Sequence, residues 1–283
     1  MTATPQGRRA KKRGADGRPS LRRRRAALLV LALLLGACAC GPGPRLQPPS
    51  VPGKPYLRLL ERVEGFAVWV VDGRYVRETL NEEFTNFGQH LEFRFIPAGE
   101  FWLDAENTPG EAPFFVDHLL EEHRLMAQGV RYGDALDRGD EVEKAERAKT
   151  RLEQEGAALR DSGRTAELMA KVHKELLAGY SDGVKVWVVD GELVRDVFYI
   201  DFTEGGHDKV YKFVPAGEVW VDDDVTPAER GFILLHELHE RALMARGWPY
   251  AKAHPDSSRI EYYYRHHPAG LDAALRAETA KNR

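Results

Sequence analysis

Between Phe232 and Met244 the chain sets two imidazoles, His236 and His239, beside two carboxylates, Glu237 and Glu240, within five consecutive residues. Successive residues of a helix turn by about 100°, so Glu240 falls about 40° to one side of His236 and His239 about 60° to the other. Phe232 and Leu243 fall in the same sector, so these polar groups project from an apolar face. Such groups need partners, because burying them unpaired is costly. The partners are either one another or a metal ion. His236 can share an ion with Glu240 (i, i+4) or His239 (i, i+3), and imidazole with carboxylate suits Zn²⁺ or another divalent cation. His254 and Glu261 are the donors expected to complete the set, and His207, after Gly205-Gly206, is a further candidate.

Glu237, directly after His236, is expected to be the catalytic group, a general base for a metal-bound water. Over five residues the stretch resembles the His-Glu-x-x-His helix of zinc metallopeptidases. It departs from that pattern in having His239 one position early and Glu240 where the second histidine would stand. The resemblance implies a metal-dependent, peptidase-like hydrolase. The competing reading makes the same His/Glu cluster a hydrogen-bonded structural network in a non-catalytic binding or scaffold protein.

An internal repeat provides a control. Sliding the chain by 118 positions aligns 65–132 with 183–250 without a gap, and 31 of those 68 positions are identical. Val68 to Gly73 returns as Val186 to Gly191, and Pro97 to Glu100 with Trp102 returns as Pro215 to Glu218 with Trp220. Two tandem copies of one domain are therefore expected. The first keeps His118, Glu122 and Glu143 as equivalents of His236, Glu240 and Glu261. It has Leu119 for Glu237, Glu121 for His239, Leu136 for His254 and Gln89 for His207. Any catalysis belongs to the second copy.

The elements that must hold these groups read as α+β: about four short antiparallel strands followed by helices in each copy. Val184 to Val189 and Leu193 to Phe202 are rich in β-branched and aromatic residues, and Asp190-Gly191 between them signals a two-residue hairpin. Val210 to Val214 and Val219 to Val221 are the next expected strands. Thr226-Pro227-Ala228-Glu229 and Thr108-Pro109-Gly110-Glu111 read as capping boxes that open a helix, which Gly247 closes in the second copy. The first repeat is expected over 56–139, a helical connector over 140–180, and the second repeat with a C-terminal helix over 181–283. Tyr262 to Tyr264 with His266 and His267 are expected to pack against the sheet.

Residues 1–37 hold ten basic residues against one acid, Asp16, leaving 31 basic and 43 acidic residues beyond them. An acidic remainder argues against nucleic acid as a partner. Arg22 to Arg25, the apolar run Ala26 to Leu35 and the small residues Gly36 and Ala37 form a secretory signal too short to span a bilayer. Leu35-Gly36-Ala37-Cys38 resembles the lipobox of bacterial lipoproteins. The resemblance implies lipidation of Cys38 and anchoring to the cell envelope; neutral Ala39 after it implies the outer membrane, facing the periplasm. Residues 38–55, rich in proline and glycine, read as a tether. Cys40 is the only other cysteine, which leaves the folded part without a disulfide or a thiolate metal site. An envelope protein or peptide is the expected partner besides the membrane.

Overall fold

Val68 to Val71 and Val186 to Val189 are apolar at every position rather than at alternate ones, the pattern of strands covered on both faces. In the computed structural model, which describes residues 53–283, these runs are inner strands of two four-stranded sheets. One contains β1 (Tyr56–Val63), β2 (Phe66–Val71), β3 (Phe87–Gln89) and β4 (Glu100–Asp104), in the order β1-β2-β4-β3. The other contains β5 (His173–Leu176), β6 (Lys185–Val189), β7 (Gly205–His207) and β8 (Glu218–Asp222), in the order β5-β6-β8-β7. The signal segment, Cys38 and most of the tether lie outside the described residues. No helix among the described residues is long and apolar enough to cross a membrane.

The architecture is mixed α and β, but the expected all-antiparallel pairing does not form. The inner pairs run parallel, with Trp69 beside Trp102 and Trp187 beside Trp220, and only the outer pairs are antiparallel. Parallel neighbours require a crossover, and each crossover contains a helix where a hairpin was expected. Asp72 and Asp190 are N-caps of α1 (Gly73–Thr79) and α6 (Gly191–Val197), their side chains accepting from Tyr75 N and Leu193 N at 3.0 Å. The glycine that follows serves close approach rather than a turn. A Cβ on Gly191 would stand 2.0 Å from the Asp222 carboxylate, and one on Gly73 1.8 Å from that of Asp104. Leu193, Val194 and Val197 are buried at helical spacing against Val189, Phe202 and Trp220. Val210 to Val214, expected as a strand, is a series of turns that tucks the Tyr211 ring against the bare Cα of Gly206.

Helices cover both faces of each sheet. On the second sheet, α6 packs with α4 (Arg151–Asp161) and α5 (Thr165–Val172) on one face. α7 (Arg230–Ala245) and α9 (Leu271–Lys281) bury Leu234, Leu235, Leu238 and Leu275 on the other. On the first sheet, Phe115, Val116 and Leu119 of α2 (Ala112–Ala127) do the same. Each of α2 and α7 pairs with the next long helix, α3 (Tyr132–Arg147) and α8 (Tyr250–His266) respectively. Gly247 ends α7 as expected, with φ +91°, and Trp248 N bonds back to Leu243 O at 3.2 Å. The segment expected as a helical connector contains α4 and α5 but also β5, the first strand of the second sheet. Tyr264 packs against the cluster that holds Val186 and Val219 of the sheet, as expected, whereas Tyr262 and Tyr263 are exposed, with their rings against those of His266 and His267.

The threonines expected to cap helices do something else. Thr108 and Thr226 make no cap bond; Thr108 Oγ1 donates to Asp224 at 2.7 Å and Thr226 Oγ1 to Glu106 at 2.5 Å, joining the two halves. Buried arginines cross the same boundary. Arg77 binds Asp104 and Glu106 of its own half and Glu229 of the other, while Arg195 binds Asp222 and Asp224 and, across the boundary, Glu111.

Candidate metal centre

α7 and α8 lie side by side, and β7 runs beside α7. His236, Glu237 and Glu240 project from α7, His254 and Glu261 from α8, and His207 from β7. The approach of β7 depends on Gly205, where a Cβ would meet Trp220 O at 2.9 Å and the Glu237 side chain at 3.2 Å.

Three donor atoms converge. His236 Nε2 lies 3.1 Å from His254 Nδ1 and 3.7 Å from Glu240 Oε2, and His254 Nδ1 lies 2.9 Å from Glu240 Oε2. An ion held tetrahedrally at about 2.0–2.1 Å from each donor would separate the donors by about 3.3 Å. The three spacings bracket that value. Surrounding bonds fix which atoms face inward. His236 Nδ1 is 2.9 Å from Glu261 Oε2, so it donates there and leaves the Nε2 lone pair free. Glu261 is held in turn by Arg265, whose Nε donates to Oε1 at 2.9 Å. His207 Nδ1 accepts from Lys209 N at 3.1 Å, which puts its proton on Nε2, 3.1 Å from Glu240 Oε1. Glu240 is thereby oriented with Oε2 toward the trio. Tyr250 stacks on the His254 ring, with centroids 5.1 Å apart.

The electrostatics favour positive charge at this point. Burial opposes charge on His236, yet Glu240 and Glu261 outweigh it and hold the imidazole well above its usual range. Glu240, against the push of burial, is held far below the carboxylate range by His207, His236 and His254. The Glu240 and Glu83 carboxylates hold His254 up at about 9. A cluster that takes up protons so readily also suits a divalent ion, which binds by displacing them. Glu237 is the exception: burial pushes its carboxyl up. Its carboxylate lies within 4.8 Å of donor atoms of His207 and Glu240.

The cluster forms the floor of a cleft of about 300 Å³, walled by Glu83, Thr85, Tyr199, Asp201, Tyr250 and His254 among others. Of the residues expected at this site, His236, Glu240 and His254 meet. Glu237 lines the cleft beside them, and Glu261 stands behind His236 rather than in the trio. His239 is not brought in. Its Nε2 bonds Asp256 at 3.0 Å and its Nδ1 lies 3.0 Å from Glu278, tying α7 to α8 and α9. Sequence reasoning missed Arg265, Tyr250 and Glu83. Arg265 had a usable signal, since Arg147 stands 118 positions before it, four residues after Glu143, as Arg265 stands four after Glu261.

The first half repeats the outer bonds without the trio. His118 Nδ1 lies 3.1 Å from Glu143, His118 Nε2 lies 3.7 Å from Glu122, and Gln89 donates to Glu122 at 2.8 Å. His118 Nε2 is buried without a hydrogen-bond partner, and Leu136 stands where His254 supplies the third donor.

No known protein family matches this chain, and neither the curated proteins nor the solved structures contain a significant relative.

Proposed function

We propose that this chain is an envelope lipoprotein, anchored through Cys38 to the outer membrane and facing the periplasm. Its two halves are copies of one α+β unit, and the second is a divalent-metal-dependent hydrolase of peptidase-like type. The convergence of His236 Nε2, His254 Nδ1 and Glu240 Oε2 carries the reading. Three donors at tetrahedral spacing, with the other imidazole nitrogen of His236 held by a carboxylate, match what a catalytic zinc site needs: three protein ligands and room for water. A bound Zn²⁺ brings the pKa of its water to about 7. In this reading Glu237, which lines the cleft beside the trio, takes the proton of a water attacking a peptide carbonyl and returns it to the departing amine as the C–N bond breaks.

The first half favours a second reading, since His118 and its carboxylates make similar outer bonds with no third donor. On that view the cluster around His236 is also structural. Metal analysis of the purified full chain separates the two. About one equivalent of zinc, retained in Glu237→Gln while peptide hydrolysis falls about 10²–10⁴-fold, supports the hydrolase. Less than about 0.2 equivalents, with no rise in melting temperature on adding zinc or manganese, overturns it.

A further inference from the structure

A second cavity, of about 320 Å³, adjoins the metal-centre cleft and shares Glu83, Thr85, Tyr199, Asp201 and Thr203 with it. Every residue lining it except Tyr199 stands 118 positions from a residue lining the first. The two are thus counterparts meeting at a common wall, but their linings have diverged. Leu136 replaces His254, Phe87 replaces Gly205, Phe115 replaces Ile233 and Glu92 replaces Val210. One metal-binding position, His254, has given way to leucine, and the changes at the other three add two aromatic rings and a carboxylate. Glu92 accepts from Tyr132 Oη at 2.8 Å, and neither cavity has a lysine or arginine in its lining.

A lining of rings and aliphatic side chains with four carboxylates, Glu83, Glu92, Glu143 and Asp201, and no lysine or arginine fits a side chain with an apolar stem and a positive head. Phe93 and Tyr132 also line the cavity, and aromatic rings attract cations. We propose that the first-half cavity is a specificity pocket for a lysine or arginine side chain of a peptide. The same peptide lies across the Thr85/Thr203 wall with its backbone at the metal centre of the second half. What happens to the bound chain rests on the hydrolase reading above; the basic side-chain preference does not. Burial pushes Glu92 up to about 7, and a cation seated beside it would lower it again.

The test is binding of a fluorescent, end-blocked peptide carrying one lysine to the purified full chain, against the same peptide with norleucine or glutamate there. The lysine peptide is expected to bind at least about ten-fold more tightly than the norleucine peptide, with the advantage shrinking as salt rises. Glu92→Gln, which keeps the shape of the pocket, is expected to reduce that preference to below about three-fold. Equal affinities in the wild-type chain, no binding of any peptide, or a preference unchanged in Glu92→Gln overturns the proposal. Metal content and cleavage, measured on the same samples, report separately. A lysine preference without metal sinks the hydrolase alone, and metal with indiscriminate cleavage sinks the pocket alone.

Discussion

His118 and His236 occupy the same point of similar helices, each with Nδ1 beside a glutamate of the neighbouring helix. Each lies 3.7 Å from a glutamate one turn along its own helix. What separates the two places is the third position. In the second half it is His254, one-third exposed at the mouth of a cleft; in the first it is Leu136, and the histidine is sealed. The bonds behind each histidine are nearly the same, while the residues in front of it differ in kind. Support and chemistry are thus carried by different residues, so one can change without the other.

Exchanging the third position breaks the comparison most directly. His254→Leu is expected to weaken metal binding more than about 100-fold and to abolish hydrolysis while the chain stays folded. The reverse change, Leu136→His with Leu119→Glu, is expected to raise bound zinc from one equivalent toward two. Metal analysis after dialysis reads both, and unchanged zinc in His254→Leu would count against the trio.

The supporting carboxylates should then respond unequally. Glu261→Gln is expected to weaken metal binding about 10–100-fold, because His236 loses the acceptor that orients it. Glu143→Gln is expected to leave metal content untouched and to lower stability by about 1–3 kcal/mol. Titration with a zinc indicator and urea unfolding distinguish these outcomes, and equal effects on metal affinity would erase the distinction.

The smallest effect is a pH dependence in the first half. Burial disfavours charge on His118, but Glu122 and Glu143 outweigh it and raise its pKa to about 9. A group raised on folding contributes fully below its unfolded pKa, and the contribution disappears as the pH rises through the folded value. The stability advantage of the wild type over His118→Gln is therefore expected to be full below about pH 6.5 and to shrink by about 2–3 kcal/mol by pH 9 to 10. Urea unfolding across that range is the measurement, and a flat difference would mean that His118 is neutral in the folded chain.

Much of this arrangement was legible in the residues. The helix carrying His236, its end at Gly247 and the inner strands follow from local patterning, and spacing alone paired His236 with Glu240. Asp190-Gly191 misled because an aspartate before glycine suits both a hairpin and a helix N-cap. What decides between them is the Asp222 carboxylate, distant in sequence, against which Gly191 must pack. His239 misled for a similar reason. Its place on the helical wheel faces the right sector, but Glu278 arrives from the C-terminal helix, whose packing beside α7 no local spacing announces. Parallel pairing of the inner strands is equally non-local, since it follows from the crossover rather than from either strand.

Arg77 and Arg195 each reach into the opposite half, to Glu229 and Glu111, and all four side chains are buried. Charges removed from water in this way cannot be abandoned cheaply. A chain cut between its halves would leave each fragment with ionised groups facing solvent through a boundary shaped for something else. The two halves should therefore melt as a single cooperative unit. A first half that lacks the third donor would still be indispensable, because the half that carries His236, Glu240 and His254 is built to fold against it.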